Sequence, residues 1–326
     1  MLFTALTVAL AQLATPAPAV PARPASAPPA DAPTMVVLET GGINGLSGMT
    51  LTGPDTALAV AERARFALPL RFGPGPTVAL SGPPVPLQGI DPELETEDLA
   101  FLQDRDRFAF ATERQGTEPL GEFVLFGRRT ADGIRIDSRL KVPLSRWGVT
   151  ARPNQGLEGL CVTGRNALVA VETVIPSPKR AAPLALIDLK TKSIVALRLQ
   201  LTTPTGKISA LACAPATGGE DPEGRVDVLA IERHYGIGRI LAFRLDPKAL
   251  READPEEQAK PIVPRVAFDL AGKIDPLPNL ESLVELPAPP GSDGRRHLVM
   301  VSDNDSGAGT EATRVVFVTL PAGPRP

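Results

Sequence analysis

The chain has 326 residues, a formal net charge of −3 and a sequence pI of 5.6. Aromatic residues make up 4% of it and no basic patch is present, which argues against a nucleic-acid partner. Gly and Pro supply 29 and 36 residues, a share that is high for a helical protein and typical of many short strands joined by turns.

The N-terminal stretch MLFTALTVALAQLA is apolar but too short to span a bilayer. Small residues follow it as A-x-A patterns, so residues 1–19 are predicted to be a signal peptide, although no basic residue precedes Arg23. Residues 20–34 are rich in Pro and Ala and predict an extended linker. We therefore expect a periplasmic or secreted protein with no membrane span after signal removal.

Five segments share one layout: a short apolar run, a turn of Gly, Pro, Asp or Asn, and a β-rich run that ends in an acid. These turn residues are the ones that β-hairpins favour. The paired runs are GLSGMTL with ALAVAER, EDLAFL with RFAFATER, LEGLCVT with ALVAVET, ISALACA with VDVLAIER, and LESLVEL with HLVMVSDND. A third strand usually follows, as in EFVLFGRR.

The acids that close the second runs repeat at a regular spacing. They are Glu62, Glu113, Glu172, Glu232 and Asp303, separated by 51, 59, 60 and 71 residues. Such a period, with three or four strands per unit, indicates a β-propeller. We predict an all-β fold over residues 35–326, with five recognisable repeat units and five or six blades. A divergent sixth unit would lie in 64–95 or 247–275, and an irregular sandwich is the alternative fold.

Two segments lie outside the repeat. Residues 35–40, MVVLET, precede the first hairpin and are expected to pair into the last blade, because closing the ring removes exposed sheet edges. Residues 246–260, DPKALREADPEEQAK, carry the strongest helix signal, and we expect them to form an excursion between strands.

The acids are expected to meet at one end of the blades. In an antiparallel hairpin the start of the first strand lies beside the end of the second strand. Glu158 opens a first strand and Glu172 ends the following one, and Glu281 has the same relation to Asp303. The other pairs are Glu97 or Asp98 with Glu113, Ser47 with Glu62, and Ser209 with Glu232. If the first strands are innermost, these ends form a ring of carboxylates at one mouth of the channel.

Crowded carboxylates repel one another unless cations compensate them. Arg63, Arg114 and Arg233 each follow a closing Glu, but adjacent strand residues point to opposite faces, so each Arg is not expected to reach its own neighbour. A hard cation such as Ca²⁺ is the other compensation, since it prefers carboxylate, carbonyl and Asn oxygens. The run SDNDSG, residues 302–307, is rich in such oxygens but lacks EF-hand spacing, and an Asx-rich turn is its alternative interpretation.

The cysteines and histidines are few. Cys161 and Cys213 lie on the first strands of consecutive units, one position apart in the repeat alignment. Because a one-residue offset sends side chains to opposite faces, we expect free thiols rather than a disulfide. His234 follows the closing acid of its unit and is expected near the mouth, or in a structural role.

The segments NQGLEGLCVT, VLAIERHYGIGRILAFRL, NLESLVEL and LVMVSDNDSG resemble the signature segments of the bacterial phytase-like family, also called "esterase-like activity of phytase". The segments NGLSGMTL and ETEDLAFL fall in the same order, and the similarity covers roughly residues 37–320. Two units depart from the family's Glu-Gly-Leu pattern, with Asp98 and Ser282 in place of Gly, and the first closing strand ends Ala-Glu-Arg where Ser-Asp-Arg is usual. The resemblance implies hydrolysis of a phosphate or carboxylic ester.

We therefore expect an exported, monomeric, ester-hydrolase-like propeller acting on a small, anionic ester. The expected catalytic residues are Glu172, Glu232 and Arg233, with Arg233 holding an anionic group. The expected ligands of Ca²⁺ or another divalent cation are Glu158, Glu281, Asp303 and Asn304, and a metal-activated water would be the nucleophile. The alternatives are a non-catalytic binding propeller with structural calcium, and a lactonase-type propeller that uses Asn154 or Asn304.

The N-terminal assignment is directly testable. If residues 1–19 are a signal peptide, the mature protein from its native host will start after Ala11 or Ala19 and lie outside the cytoplasm, because the A-x-A patterns end there. N-terminal sequencing of the fractionated protein measures this. A cytoplasmic protein that retains the N-terminal segment would contradict it.

Overall fold

The computed structural model describes residues 32–102, 106–114, 122–150, 155–176, 180–216, 224–288, 294–304 and 312–321. The predicted signal peptide lies outside these residues, as do most of the linker, Asn154 and the last three residues of the SDNDSG run. The secondary structure of the described part is mainly β-strand.

Each repeat unit of the sequence forms a run of antiparallel strands. The first described strand, β1 (Thr34–Val37), precedes unit one. Unit one contains β2 (Leu46–Leu51), β3 (Thr56–Ala61) and β4 (Phe66–Phe72), followed by the short β5 (Val78–Leu80) and β6 (Val85–Gln88). Unit two contains β7 (Leu94–Leu102), β8 (Arg107–Arg114), β9 (Glu122–Thr130) and β10 (Gly133–Val142), and a 3-10 helix (Leu144–Trp147) follows it.

The three remaining units have the same arrangement. Unit three contains β11 (Leu157–Thr163), β12 (Asn166–Val171), β13 (Ala181–Asp188) and β14 (Ile194–Gln200). Unit four contains β15 (Lys207–Pro215), β16 (Val226–His234), β17 (Ile237–Leu245) and β18 (Arg265–Asp269), with the helices α1 (Pro247–Glu252) and α2 (Pro255–Ala259) before β18. Unit five contains β19 (Asn279–Leu286), β20 (Arg296–Asp303) and β21 (Arg314–Leu320).

The ends of the described chain meet in the last sheet. β1 pairs antiparallel with β21, with Met35 opposite Val316, so the expected pairing of residues 35–40 with the last blade is confirmed through β1. Units one and two share one sheet because β6 pairs in parallel with β10. The number of blades, five or six, stays a prediction.

The expected helical excursion is confirmed by α1 and α2. Each helix begins with a Pro after an Asp N-cap, and the side chains of Asp246 and Asp254 accept hydrogen bonds from the amides of Ala249 and Glu257 at 2.9 and 2.8 Å. None of the described helices is long and apolar enough to cross a membrane.

The first strands of the units form the axis of the molecule. β2, β7, β11, β15 and β19 contact one another in cyclic order, and β19 returns to β2. The buried apolar side chains lie between neighbouring units: Phe108 and Phe110 of unit two, for example, pack with Leu58 of unit one. Burial of such interfaces around a ring stabilises each blade through its neighbours. The fold is a β-propeller, as predicted.

These first strands carry a β-bulge at one shared point. The register of each against its second strand shifts there, so one extra residue of the first strand lacks a ladder partner. The residues at the shift are Ser47, Glu97, Glu158, Ser209 and Glu281. Because a bulge redirects a side chain, it sets these positions apart from the regular alternation of the strand.

The residue after the bulge packs against the neighbouring first strand. A Cβ added to Gly48 would lie 2.4 Å from the Cα of Asp98, so unit two approaches unit one closely only because glycine stands there. The Asp98 carboxylate in turn accepts hydrogen bonds from the amides of Leu99 and Leu160 at 2.8 and 2.7 Å. Asp98, which stands where the family has Gly, therefore bridges units two and three.

The expectation of free thiols is wrong, because Cys161 and Cys213 form a disulfide with a Cα–Cα distance of 5.5 Å. The repeat alignment placed Cys161 level with Ala212 and Gly159 level with Ala210, but β11 and β15 touch between two such positions. A Cβ on Gly159 would lie 2.7 Å from both the Ala210 carbonyl carbon and the Leu211 nitrogen, so Gly159 lies between two residues of β15. Two residues later, Cys161 is close enough to Cys213 to bond.

Removing the disulfide should destabilise the fold. The bond closes a loop with a sequence separation of 52, for which loop entropy predicts a loss of about 4 kcal/mol in the free energy of unfolding. We expect denaturant unfolding of Cys161→Ala/Cys213→Ala to show a loss of this order. Reducing agent should lower the stability of the wild type and leave the double variant unchanged. Two free thiols in the denatured, unreduced wild type would contradict the assignment.

Candidate active site at the acidic mouth

The strand ends bring carboxylates from several units to one surface, where they lie close enough to raise one another's pKa values. We call this surface the acidic mouth, and it comprises Glu62, Glu95, Glu97, Glu113, Glu158, Glu172, Glu281 and Asp303. The bulged residues Glu97, Glu158 and Glu281 contribute its deepest part, and each is at most 7% exposed. The two bulged serines join units instead: Ser47 Oγ donates to the Thr96 carbonyl at 2.7 Å, and Ser209 Oγ to the Leu280 carbonyl at 2.8 Å.

The ends of the second strands contribute the outer part, with one exception. Strand pairing places Glu113 opposite Glu95 and Asp303 opposite Asn279, and the amides of Glu62 and Glu172 donate to the carbonyls of Gly45 and Gly156. In unit four the residue at the equivalent position, opposite Lys207, is Arg233. The closing acid Glu232 is paired with Ile208, one residue away.

Glu232 is therefore not at the position that the repeat spacing predicts. A shift of one residue turns a strand side chain to the other face. Its buried carboxylate accepts hydrogen bonds from the amides of Thr202 and Thr203 at 3.0 and 2.9 Å, and from both threonine hydroxyls at 2.5 Å. A Cβ on Gly206 would lie 2.4 Å from this carboxylate. Glu232 thus anchors the loop that contains Thr202 and Thr203.

Cations at the mouth connect one unit to the next. Arg233 donates to both carboxylate oxygens of Glu281 in unit five, through Nε at 3.1 Å and through Nη2. Lys207 of unit four pairs with Glu172 of unit three. Arg63 of unit one donates to Glu95 of unit two at 2.6 Å. Arg63 and Arg233 thus pair with acids of the next unit, although the charge of Arg63 also acts on its neighbour Glu62 and partly offsets the rise that burial causes in the pKa of that carboxyl.

These cations leave an excess of buried acid, which raises several pKa values. Loss of hydration, followed by the charges of Asp303, Glu95 and Glu281, raises the pKa of Glu62 to about 8. Burial, together with nearby Glu95, raises the pKa of Glu113 to about 7. The pKa of Glu97 and of Glu158 is raised well above its usual range by burial and by neighbouring carboxylates.

The tightest group of acids lies in unit two. Glu95, Glu97 and Glu113 are all buried, and each offers an oxygen within 4.8 Å of the others. Among the described residues, Oε1 of Glu97 has no hydrogen-bond partner although it is buried. Sequence reasoning missed Glu95, although the alternation Glu-Thr-Glu along one strand is the signal that places Glu95 and Glu97 on one side.

The residues predicted to bind metal are brought to the same mouth, in different surroundings. Glu158 and Glu281 lie deep in it, and Asn279 Nδ2 donates to Asp303 at 3.2 Å. The Asn304 amide is engaged by the polypeptide: its Oδ1 accepts from the Gly45 amide at 2.9 Å. This contact ties the end of β20 to the start of unit one.

A comparison of the sequence with protein families identifies the chain. It matches the family model "Phytase-like: Esterase-like activity of phytase" over residues 39–306. The chain belongs to the phytase-like family. The resemblance inferred from the sequence segments is thus confirmed, and the phytase-like region includes every residue of the acidic mouth. No curated protein sequence matches this phytase-like chain significantly.

Several solved structures align with this chain at low sequence identity. A thermostable family-43 glycoside hydrolase aligns with a TM-score of 0.49 and 10% identity, over 87% of this chain and 95% of that one. A hypothetical protein from Leishmania major aligns with a TM-score of 0.43 and 11% identity, over 89% of each chain. A mutant of the Synechocystis apocarotenoid oxygenase aligns with a TM-score of 0.37 and 13% identity, over 86% of this chain and 72% of that one. These similarities assign no activity.

The raised pKa values predict how stability depends on pH. Glu62 and Glu113 bind protons more tightly when folded than at their ordinary value of 4.5, so the folded state holds more protons between about pH 4.5 and 8. The free energy of unfolding should therefore fall as pH rises from 5 to 8 in the presence of a chelator. Thermal unfolding across this range measures the change.

Variants connect the pH effect to the mouth. Glu62→Gln mimics the protonated carboxyl and should flatten the decline, whereas Glu252→Gln on the exposed face of α1 should leave it unchanged. A wild-type melting temperature that rises between pH 5 and 8 would show that the mouth acids do not dominate the titration.

Proposed function

We propose that this phytase-like chain is an exported hydrolase of small anionic esters, phosphate or carboxylic, that acts at the acidic mouth with a bound divalent cation. The observation that carries the proposal is the buried group Glu95, Glu97 and Glu113, in which one Glu97 oxygen has no hydrogen-bond partner among the residues that the structure describes. Membership of the phytase-like family supports ester hydrolysis as the reaction class.

The donor set fits a hard cation. Three carboxylates supply only oxygen ligands, which Ca²⁺ and similar ions prefer over the softer transition metals. A cation would also relieve the repulsion that raises the pKa of Glu97 and Glu113. Glu158, Glu281 and Asp303 add negative charge around this group without belonging to it. When bound, a divalent cation supplies Lewis-acid polarisation of an ester oxygen.

Glu172 is the residue best placed to act as a base. Hydrolysis requires a group that accepts a proton from water while the water oxygen bonds to the ester phosphorus or carbonyl carbon. The bond from that atom to the ester oxygen then breaks, and the alcohol leaves after taking up a proton. Lys207 holds one carboxylate oxygen of Glu172, and the other, Oε2, is buried without a partner among the described residues. One oxygen is thus fixed and the other is available to accept a proton.

The catalytic roles predicted for the other two residues change. Glu232 is saturated by two threonines, so we assign it to loop anchoring. Arg233 is committed to Glu281 through two donors, so we propose that it positions Glu281 and that other groups bind the anion of the ester.

Export is supported by the disulfide. Structural disulfides persist in oxidising compartments such as the periplasm and are rare in the cytosol. The bond between Cys161 and Cys213 therefore agrees with the N-terminal segment predicted to direct secretion.

Calcium should stabilise the wild type, and one substitution should remove the effect. Binding to the folded state adds about 2.7 kcal/mol when free ion is a hundredfold above Kd. Glu97→Gln should lose this calcium stabilisation because it removes one ligand charge. Glu232 is also a buried acid but lies one residue away from the mouth position, so Glu232→Gln should retain the stabilisation. Thermal unfolding with calcium and with chelator measures both variants. Loss of the gain in Glu158→Gln but not in Glu97→Gln would instead support the ligands predicted from sequence.

Activity measurements complete the test. Phosphate esters, carboxylic esters and lactones should be screened with calcium and with chelator. We expect calcium-dependent hydrolysis of an anionic ester, with kcat lowered about a hundredfold in Glu172→Gln. Calcium stabilisation without turnover of any of these substrates would support the non-catalytic binding propeller, and turnover of lactones alone would support the lactonase alternative.

A further inference from the structure

A second cavity opens beside the acidic mouth, between units three and four. Its volume is about 520 Å³, and its lining includes Arg180, Lys207, His234, Glu172 and Gln155. The cavity adjoins the mouth, because Glu172 of the mouth lies in the cavity lining and pairs there with Lys207. It differs from the mouth in charge, because three of these five side chains are basic.

The basic groups are held in place by the fold. The Arg180 guanidinium donates to the carbonyls of Thr203 and Gly206 at 3.2 and 3.1 Å, which fixes it over the loop before β15. Lys207, the first residue of β15, is fixed by its ion pair with Glu172. His234 ends β16 at the tip of a hairpin and is partly exposed.

The charged side chains around His234 are mainly basic. Partial burial, followed by the charges of Lys207, Arg233 and Arg180, lowers the pKa of His234. Glu172 adds a negative charge to the lining, but Lys207 compensates it directly. The acidic mouth alone would repel an anionic substrate, whereas a neighbouring basic cavity attracts its charged group.

We propose that Arg180, Lys207 and His234 form an anion subsite that binds the phosphate or carboxylate group of the ester, next to the base Glu172. This assignment rests on the proposed function for the identity of the ligand, and it replaces Arg233 as the anion-binding group. The three residues come from different segments of the chain and lie in the lining of one cavity, and their N–H groups are donors that a phosphate or carboxylate accepts. The subsite therefore selects esters that carry a negative charge over neutral ones.

The subsite can be tested without turnover. Inorganic phosphate is the probe, titrated calorimetrically into the full mature chain at constant ionic strength with a chelator present. The wild type should bind it saturably. His234→Gln and Lys207→Gln should each weaken binding roughly tenfold, the loss expected for one hydrogen bond to a charged group. Lys141→Gln removes an equal charge from exposed β10 and should bind like the wild type.

The outcomes separate this inference from the proposed function. Saturable phosphate binding that weakens in both cavity variants supports the subsite, even if no ester is hydrolysed. No saturable binding by the wild type, or equal affinity in His234→Gln and Lys141→Gln, overturns it, even if calcium-dependent hydrolysis is observed. His234 is partly exposed and forms no ion pair with the described residues, so its variant tests the subsite even if Lys207→Gln unfolds.

Discussion

The structure depends on packing the first strands of neighbouring units side by side around one axis, where they touch without forming a ladder. This crowding requires glycine at Gly48 and Gly159, where a Cβ would collide with the neighbouring strand. It also explains the shared bulge, since one extra residue per strand redirects a side chain at the channel end. The contacts that replace ladder hydrogen bonds are specific ones: the Asp98 carboxylate, the serine hydroxyls and the disulfide.

The same packing concentrates charge. Bulges and strand ends bring acids from separate units to one mouth, where burial makes ionisation costly. Arg233 and Lys207 reduce this cost by pairing across unit boundaries, so they stabilise the ring as well as the site. The chemistry of the mouth and the cohesion of the blades are consequently linked, since a change at either cation affects both.

Much of this could be predicted because strands alternate and repeats recur. The turn residues, the period of the closing acids and the position of β1 were sufficient to predict the propeller. They also predicted that Glu158, Glu281 and Asp303 lie close together. The failures share one cause, which is register. In unit four the residue at the mouth position is Arg233, one residue after the acid that the repeat predicts. Because other units also end in Glu-Arg, aligning these endings does not show the shift. The disulfide depends on an offset between strands that do not pair, for which a sequence contains no periodic signal.

The pairing of β1 with β21 has a consequence for how the chain reaches its native state. The last sheet joins residues such as Met35 and Val316, which are far apart in sequence, so its completion closes a very long loop. Topologies dominated by such distant contacts fold slowly. Until the N-terminal strand arrives, β21 presents an open edge able to recruit a strand from another molecule. Pairing with β1 replaces the seven-residue edge of β21 by the four-residue edge of β1, so the start of the domain shortens the edge with which another molecule could pair.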